Sequence, residues 1–274
     1  MKITSTKNDT IKFALSLKND AKIRIQNGLC FAEGLRLCAE AVASNRAKTL
    51  FFTPAFAEKH PEFILFEEHT VCNKTVFEQT VCEQTVCERV EISGNVAQTI
   101  SDVQNPQGVF CLCDTNGLKR PVNQISGGKI LALEHISDPG NLGTILRTAE
   151  AFGADGILLS ADCADVFSPK VLRAGMGCSF RLPIYESADF PLDLKTLREK
   201  SFAVYGAMLS DGAVSVTELK TPADFVLIVG NEANGITSET AQVVTPVIIP
   251  MKGRAESLNA ASAASILLWE LFGK

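Results

Sequence analysis

Short, almost continuously apolar runs alternate with amphipathic stretches along residues 129–274, and this alternation predicts strands and helices in turn. The apolar runs are Lys129–Glu134 (KILALE), Gly156–Ser160, Arg181–Tyr185, Phe202–Leu209, Phe225–Val229 (FVLIV) and Val247–Pro250. Helical spacing covers Leu142–Phe152, Pro169–Met176, Leu192–Lys200 and Ser257–Phe272. Strands apolar at successive positions belong to a sheet buried on both faces, so an α/β domain with a mostly parallel sheet is expected.

The first 114 residues read differently. Residues 1–26 have the spacing of a basic amphipathic helix. Leu29–Ala32, Thr49–Thr53, Val90–Ile92 and Gly108–Asp114 read as strands, with helices at Leu35–Ser44 and Val96–Ser101. The sum is a smaller αβ domain over 1–114. Thr115–Gly128 is polar, with three Gly and one Pro, and is the expected linker. Residues 70–89 are four tandem five-residue units (TVCNK, TVFEQ, TVCEQ, TVCER). Four such units are too few for a solenoid, and they read as a duplicated insertion extending a strand or loop.

A chain of 274 residues suits one large or two modest domains, and 46% hydrophobic residues supply a core. The net charge of −5 is no general nucleic-acid signature, but residues 1–36 carry a local +4. Lys12, Lys18, Lys22, Arg24 and Arg36 are therefore candidate phosphate contacts, a solvated helix face being the other reading. The nine cysteines form no CxxC pair, so reduced thiols are expected and no metal site. No apolar leader follows Met1, and the apolar stretch Ile266–Phe272 is too short to span a bilayer. A cytoplasmic protein without membrane contact is the expectation.

Three blocks of the second half hold polar residues that the elements alone do not explain. Glu134–Gly153 (EHISDPGNLGTILRTAEAFG) runs from a strand through a turn into a helix, capped by Asn141 or Ser137 and stopped at Gly153. Arg147 stands among Leu142, Ile145, Leu146 and Phe152, company in which a guanidinium needs an anionic or carbonyl partner. That partner is either Glu150 or Asp155 within the fold, or a ligand. Val229–Gly235 (VGNEANG) ends an apolar strand, and its glycines let backbone approach a ligand. Glu232 lies there at a strand's carboxyl end, where parallel sheets bind ligands, unless it caps the next helix. Ile249–Asn259 (IPMKGRAESLN) leads into a helix opened by Ser257 or Glu256 and rich in small residues. Asn259, facing that helix, needs a paired amide. The turn Gly140-x-x-Gly143 lacks the G-x-G-x-x-G of dinucleotide sites, and no P-loop lysine is present.

In order and wording the blocks resemble the SpoU (TrmH-like) RNA 2′-O-ribose methyltransferases of the SPOUT superfamily. Asn141 to Gly153 is similar to N-x-G-x-x-x-R-T-A-x-A-F-G, Gly230–Gly235 to G-x-E-x-x-G, and Ile249–Asn259 to I-P-M…S-L-N. Lys170–Gly177 resembles the intervening K-V-x-R-A-S-x-G segment, with Gly175 in place of the Ser. Ile3-x-Ser5-x-x-Asn8-x-x-Ile11-Lys12 and Phe31-x-Glu33-Gly34 resemble the family's substrate-binding domain.

The resemblance implies a trefoil knot in residues 129–274, a homodimer, and S-adenosylmethionine as cofactor. By it, Ala207, Met208, Leu209, Gly230, Asn231, Gly235, Ile249, Pro250, Met251, Ser257 and Leu258 would hold the cofactor, mainly by backbone. Arg147 would be the catalytic residue, supported by Asn141, Glu232 and Asn259. It would orient the ribose and a phosphate and stabilise the developing alkoxide, the proton passing to phosphate, water or a transient neutral Arg. Arg173 joins the basic residues of the first domain as an RNA contact. His135 is available as a base, but the family pattern does not call for one. The expected substrate is RNA, ribosomal ahead of transfer RNA. A nicotinamide-dependent oxidoreductase and a non-catalytic RNA-binding protein are the competing classes.

Overall fold

The computed structural model describes residues 1–64, 87–231, 234–254 and 257–273. It divides into two units, Met1–Asn116 with Phe167–Phe180, and Gly117–Val166 with Arg181–Lys274. Residues 167–180, expected with the second domain, therefore group with the first unit.

The first unit is built on a mixed sheet of order β1-β4-β3-β5-β2. Its strands are β1 (Lys2–Ile3), β2 (Leu29–Glu33), β3 (Ala47–Phe52), β4 (Glu88–Ile92) and β5 (Val109–Asp114). Its helices are α1 (Asp9–Asn19), α2 (Ala21–Asn27), α3 (Leu35–Ala43), α4 (Pro54–Lys59), α5 (Pro61–Ile64), α6 (Gly94–Ile100) and α8 (Pro169–Ala174), the last packed on β2. The stretch 1–26, expected as one helix, is a strand and two helices. Asn8 and Asp20 are the cause: each accepts from the backbone N–H two residues on, at 2.9 and 2.7 Å, and so starts a new helix. Ile11, Ala14 and Leu17 form the inward stripe of α1 and join Phe31, Phe51 and Phe110 in the core. Residues 70–86 of the pentapeptide repeat lie outside the described residues, and its last two residues, Glu88 and Arg89, open β4.

The second unit is an eight-stranded sheet of order β11-β13-β10-β12-β7-β8-β9-β6, parallel at every pairing. The strands are β6 (Lys119–Pro121), β7 (Lys129–Leu133), β8 (Gly156–Ser160), β9 (Ile184–Ser187), β10 (Ala203–Ala207), β11 (Val214–Ser215), β12 (Phe225–Val229) and β13 (Thr245–Ile248). The helices are α7 (Pro139–Ala151), α9 (Phe190–Glu199), α10 (Ser238–Ala241) and α11 (Ala260–Phe272). The expected linker 115–128 contains β6, which pairs with β9, and places Ile125 in the core. Its polar composition reflects an edge strand rather than a tether.

Both faces of the sheet are covered, as its apolar runs require. One face packs Ile130, Ala132, Leu158, Val226 and Ile228 against Phe190, Leu194 and Leu197 of α9. On the other, α7 and α11 pack on one another, and Phe272 meets Phe225 edge-on at 4.9 Å. β7 has its sequence successor β8 on one side and β12 on the other, so the strand order reverses there. Ligands of parallel sheets bind beyond the carboxyl ends of strands at such a reversal. Among the described residues no helix is long and apolar enough to cross a membrane.

Candidate functional site at the carboxyl edge of the parallel sheet

A cavity of about 460 Å³ opens beyond β10, β12 and β13 of the second unit. Of the residues expected to hold a cofactor, Ala207, Met208, Leu209, Gly230, Asn231, Gly235, Ile249, Met251, Ser257 and Leu258 line it. Pro250 does not; it is exposed between two lining residues. The other walls are Val229, Asn234, Ile236, Val247, Ile248, Ala260 and Ala263. Ala260 and Ala263 lie one turn apart at the start of α11. They belong to the small residues noted in the sequence, and here they leave room for the cavity.

The cavity depends on how the chain leaves β12. Asn231 and Gly235 exchange two backbone hydrogen bonds, of 3.0 and 2.8 Å, folding the loop back on the strand end. A Cβ on Gly230 would stand 2.2 Å from the Gly235 carbonyl oxygen and 2.5 Å from the Ile236 nitrogen. Only glycine fits there. Glu232 lies outside the described residues. Its neighbourhood is anchored by Glu134, whose buried carboxylate accepts from the Thr237 N–H at 3.0 Å and from the Thr237 and Thr240 hydroxyls at 2.7 Å each. A buried carboxylate needs such donors, and here they pin the segment after the loop to the end of β7.

The polar residues of the first and third blocks meet at the start of α7. Asp138, not Asn141 or Ser137, caps that helix, accepting from the Asn141 N–H at 2.8 Å. Gly153 stops it at φ +74°. The last helix begins at Ala260, later than expected, because Asn259 is its cap and accepts from the Ala261 and Ser262 N–H groups. The Asn259 amide also donates to the Asn141 side-chain oxygen at 3.2 Å. Asn259 is thus exposed and paired, rather than facing the crowded helix.

Arg147 corrects the expectation of an enclosed guanidinium. Leu142, Ile145, Leu146 and Ala149 take the inward stripe of α7, and Arg147 falls on the exposed side. It makes no hydrogen bond or ion pair with a described residue. Neither internal partner serves it: Glu150 pairs with Arg181 at 2.5 and 2.7 Å, and Asp155 accepts from the Lys129 N–H at 2.7 Å. Arg147 lines neither this cavity nor its neighbour.

The candidate RNA contacts of the first unit divide. Lys12, Lys22 and Arg36 are exposed. Arg24 is buried and donates to the Leu17 and Lys18 carbonyls at 2.8 and 3.1 Å, closing the end of α1, so its charge serves the fold. Lys18 and Arg173 both bind Asp102, at 2.7 and 2.9 Å, and Lys18 also donates to the Ile100 and Ser101 carbonyls. Burial raises the Asp102 pKa, but the hydrogen bonds and charges of Lys18 and Arg173 outweigh it and hold the carboxyl below its ordinary range. The described cysteines are thiols: burial raises Cys38 and Cys113, and Cys87 to about 12. No metal cluster occurs among the described residues.

A second cavity, of about 640 Å³, lies beyond β7 and β8 and shares Asn231, Asn234, Gly235 and Ile236 with the first. His135 and Asp162 line it and are bonded through Nδ1 and Oδ2. The sequence offered no spacing that joins these two, since β8 brings Asp162 beside the end of β7.

Comparison with known proteins agrees with the blocks. A family model described as the SpoU rRNA Methylase family matches residues 128–269, and one described as the MRM3-like substrate binding domain matches residues 8–111. An uncharacterized tRNA/rRNA methyltransferase of Synechocystis is 34% identical across 98% of this chain and 92% of its own. The 23S rRNA (guanosine(2553)-2′-O)-methyltransferase RlmP of Bacillus subtilis is 33% identical across 66% of this chain and 71% of its own. The crystal structure of an AdoMet-bound rRNA methyltransferase from Sinorhizobium meliloti is 30% identical with a TM-score of 0.80, covering 98% of this chain and 96% of that one.

Gly230→Ala is expected to close the first cavity while leaving the sheet intact. By isothermal titration the variant should lose at least tenfold in affinity for S-adenosylmethionine, with an unchanged far-ultraviolet dichroism spectrum.

Proposed function

The chain belongs to the SpoU rRNA Methylase family, and we propose that it methylates a ribose 2′-hydroxyl of RNA, most specifically 23S-type ribosomal RNA, using S-adenosylmethionine. The observation that carries this reading is the cavity lined by the ends of β10, β12 and β13 and by Ser257 and Leu258. Its size is that of a small-molecule site. It has apolar walls, backbone polar groups and a glycine that admits no side chain. No Lys or Arg is among the described residues that line it, which fits a cofactor without phosphate groups. The relative from Sinorhizobium meliloti holds AdoMet and the Bacillus subtilis relative acts on 23S rRNA, both in support. Transfer RNA is the second substrate reading.

Bound S-adenosylmethionine would supply an electrophilic methyl group. The chain's own part is to hold and activate the ribose. Arg147, exposed and with no described partner, takes an RNA phosphate and the 2′-oxygen, stabilising charge as the proton leaves. An arginine is a poor base because its pKa is above about 12, so its role is positioning and charge. Asn259 caps α11 and holds Asn141, tying the start of α7 to the segment that ends the cavity. Glu232 is assigned to holding Arg147 and the loop by its motif alone. Lys12, Lys22 and Arg36 are the surface cations for RNA in the first unit.

A knotted threading of the second unit, a cytoplasmic location and a homodimer belong to the same proposal. Support for the dimer comes from α11, where Ile266 and Trp269 are 41% and 53% exposed one turn apart. Trp269 packs edge-on against Phe152 at 5.6 Å, extending the apolar patch to the end of α7.

Arg147→Ala should keep its affinity for S-adenosylmethionine within about twofold and lower methyl transfer to ribosomal RNA by at least a hundredfold. Full transfer in that variant removes Arg147 from the mechanism. Trp269→Glu should shift the protein from dimer to monomer in light scattering after size exclusion, and a wild type that runs as a monomer refutes the dimer.

A further inference from the structure

The described residues that line the first cavity include no charged side chain, yet the strand that must reach it is a polyanion. A ribose whose 2′-oxygen meets a methyl donor brings its own phosphate along, because that phosphate is bonded through the oxygen of the adjacent ring carbon. Cations for the RNA backbone are therefore needed at the rim of this cavity rather than inside it. Among the described residues within three positions of a lining residue, Lys252 and Arg254 are the only Lys or Arg. Both are exposed, and neither makes a hydrogen bond or ion pair with a described residue. Their charge is not spent on the fold, unlike that of Lys18, Arg24 and Arg173.

The segment that carries the pair is fixed on both sides. Before it, the Val247 and Ile248 carbonyls accept from the Met208 and Val216 N–H groups at 3.1 and 2.9 Å. After it, Asn259 caps α11 and donates to the Asn141 side chain at 3.2 Å. Lys252 directly follows Met251, which lines the cavity and is 36% exposed at its mouth. Ser257 and Leu258, just beyond Arg254, return to the wall. A Cβ on Gly253, between the two cations, would meet nothing within 4 Å, so the space beside them is open. Two residues of chain span at most about 7 Å, the order of the spacing between successive phosphates of one strand.

Resting on the proposed methyl transfer, we infer that Lys252 and Arg254 bind the backbone phosphates beside the methylated ribose, and so hold its 2′-oxygen at the mouth of the donor cavity. The pair takes phosphates beyond the one assigned to Arg147, and its work is binding rather than chemistry. Arg254 offers a fork of donors that matches two phosphate oxygens, and Lys252 a compact point charge. Contacts of this kind set the register of a nucleic-acid strand and carry no sequence information. The pair therefore adds affinity for any strand laid across the mouth, and leaves the choice of nucleotide to other groups. Because the same segment lines the donor cavity through Met251 and Ser257, strand and donor are brought together by one stretch of chain.

The test compares full-length wild type with the double variant Lys252→Ala/Arg254→Ala. A control, Lys195→Ala/Lys200→Ala, removes the same charge from exposed positions on α9 and its cap, on the other face of the sheet. Methyl transfer to an unmodified 23S-type ribosomal RNA transcript gives kcat and KM, and filter retention across a salt series, with S-adenosylhomocysteine present, gives RNA affinity. The Lys252/Arg254 variant should raise KM for RNA about tenfold with kcat within about twofold, and flatten the slope of log affinity against log salt by about two, one for each cation. Its affinity for S-adenosylmethionine and the nucleoside it methylates should match wild type. Lys252→Arg and Arg254→Lys keep the charge and should stay within about threefold of the wild-type KM. The α9 control should match wild type in both KM and slope. A Lys252/Arg254 variant with wild-type KM and slope, or a control that changes both as much, overturns the inference and leaves the proposed methyl transfer intact. A wild type that transfers no methyl group, but whose RNA affinity and salt slope fall in the double variant alone, sinks the proposed function and leaves the phosphate contact standing. No RNA binding by wild type overturns both.

Discussion

The second unit's chemistry depends on one steric constraint, the absence of a side chain at Gly230. The chain leaves β12 and returns on itself within five residues, so that Gly235 backbone lies where a Cβ at 230 would be. That fold-back is the wall between two cavities. One side faces the ends of β10 and β13, the other the ends of β7 and β8. Glu134 holds the segment beyond the loop through Thr237 and Thr240, and Asn231 holds His135. The arrangement rests on hydrogen bonds among buried or half-buried groups, whose loss costs about 1–3 kcal/mol each.

A site built in this way is assembled mainly from backbone. Its walls come from strand ends and turns, and its side chains are small or apolar, so a cofactor would be gripped by amides and carbonyls. The groups suited to reaction stand apart from that grip. Asn141 and Asn259 join α7 to α11, and Arg147 stands on the exposed side of α7. The proposal thus divides binding and chemistry between the β12 loop and the α7 helix.

This division explains what could be read from the sequence. The apolar runs foretold the parallel sheet, because a strand covered on both faces must be apolar at successive positions, as Phe225–Val229 is. The second and third blocks foretold much of the lining of the first cavity, the second because a turn that accepts only glycine at 230 leaves a fixed spelling. Helical spacing already sets Arg147 off the stripe of Leu142, Ile145, Leu146 and Ala149, and only its neighbours in sequence suggested apolar surroundings. Other features were not legible. Charge could not show that Arg24 closes α1 or that Lys18 and Arg173 share Asp102. Asp162 meets His135 only through the pairing of β7 with β8, a long-range contact without a sequence signature. The polar composition of β6 concealed an edge strand.

The central claim is that S-adenosylmethionine lies on the backbone at the carboxyl ends of β10, β12 and β13. The most direct measurement is a titration of the nitrogen-15-labelled protein with S-adenosylmethionine, following every amide resonance. The account predicts shifts concentrated at Gly230, Gly235, Ile249 and Leu258, with the amides of β1 to β5 unmoved. Shifts centred in the first unit, or none at saturating ligand while a nicotinamide dinucleotide moves those four amides, would contradict it.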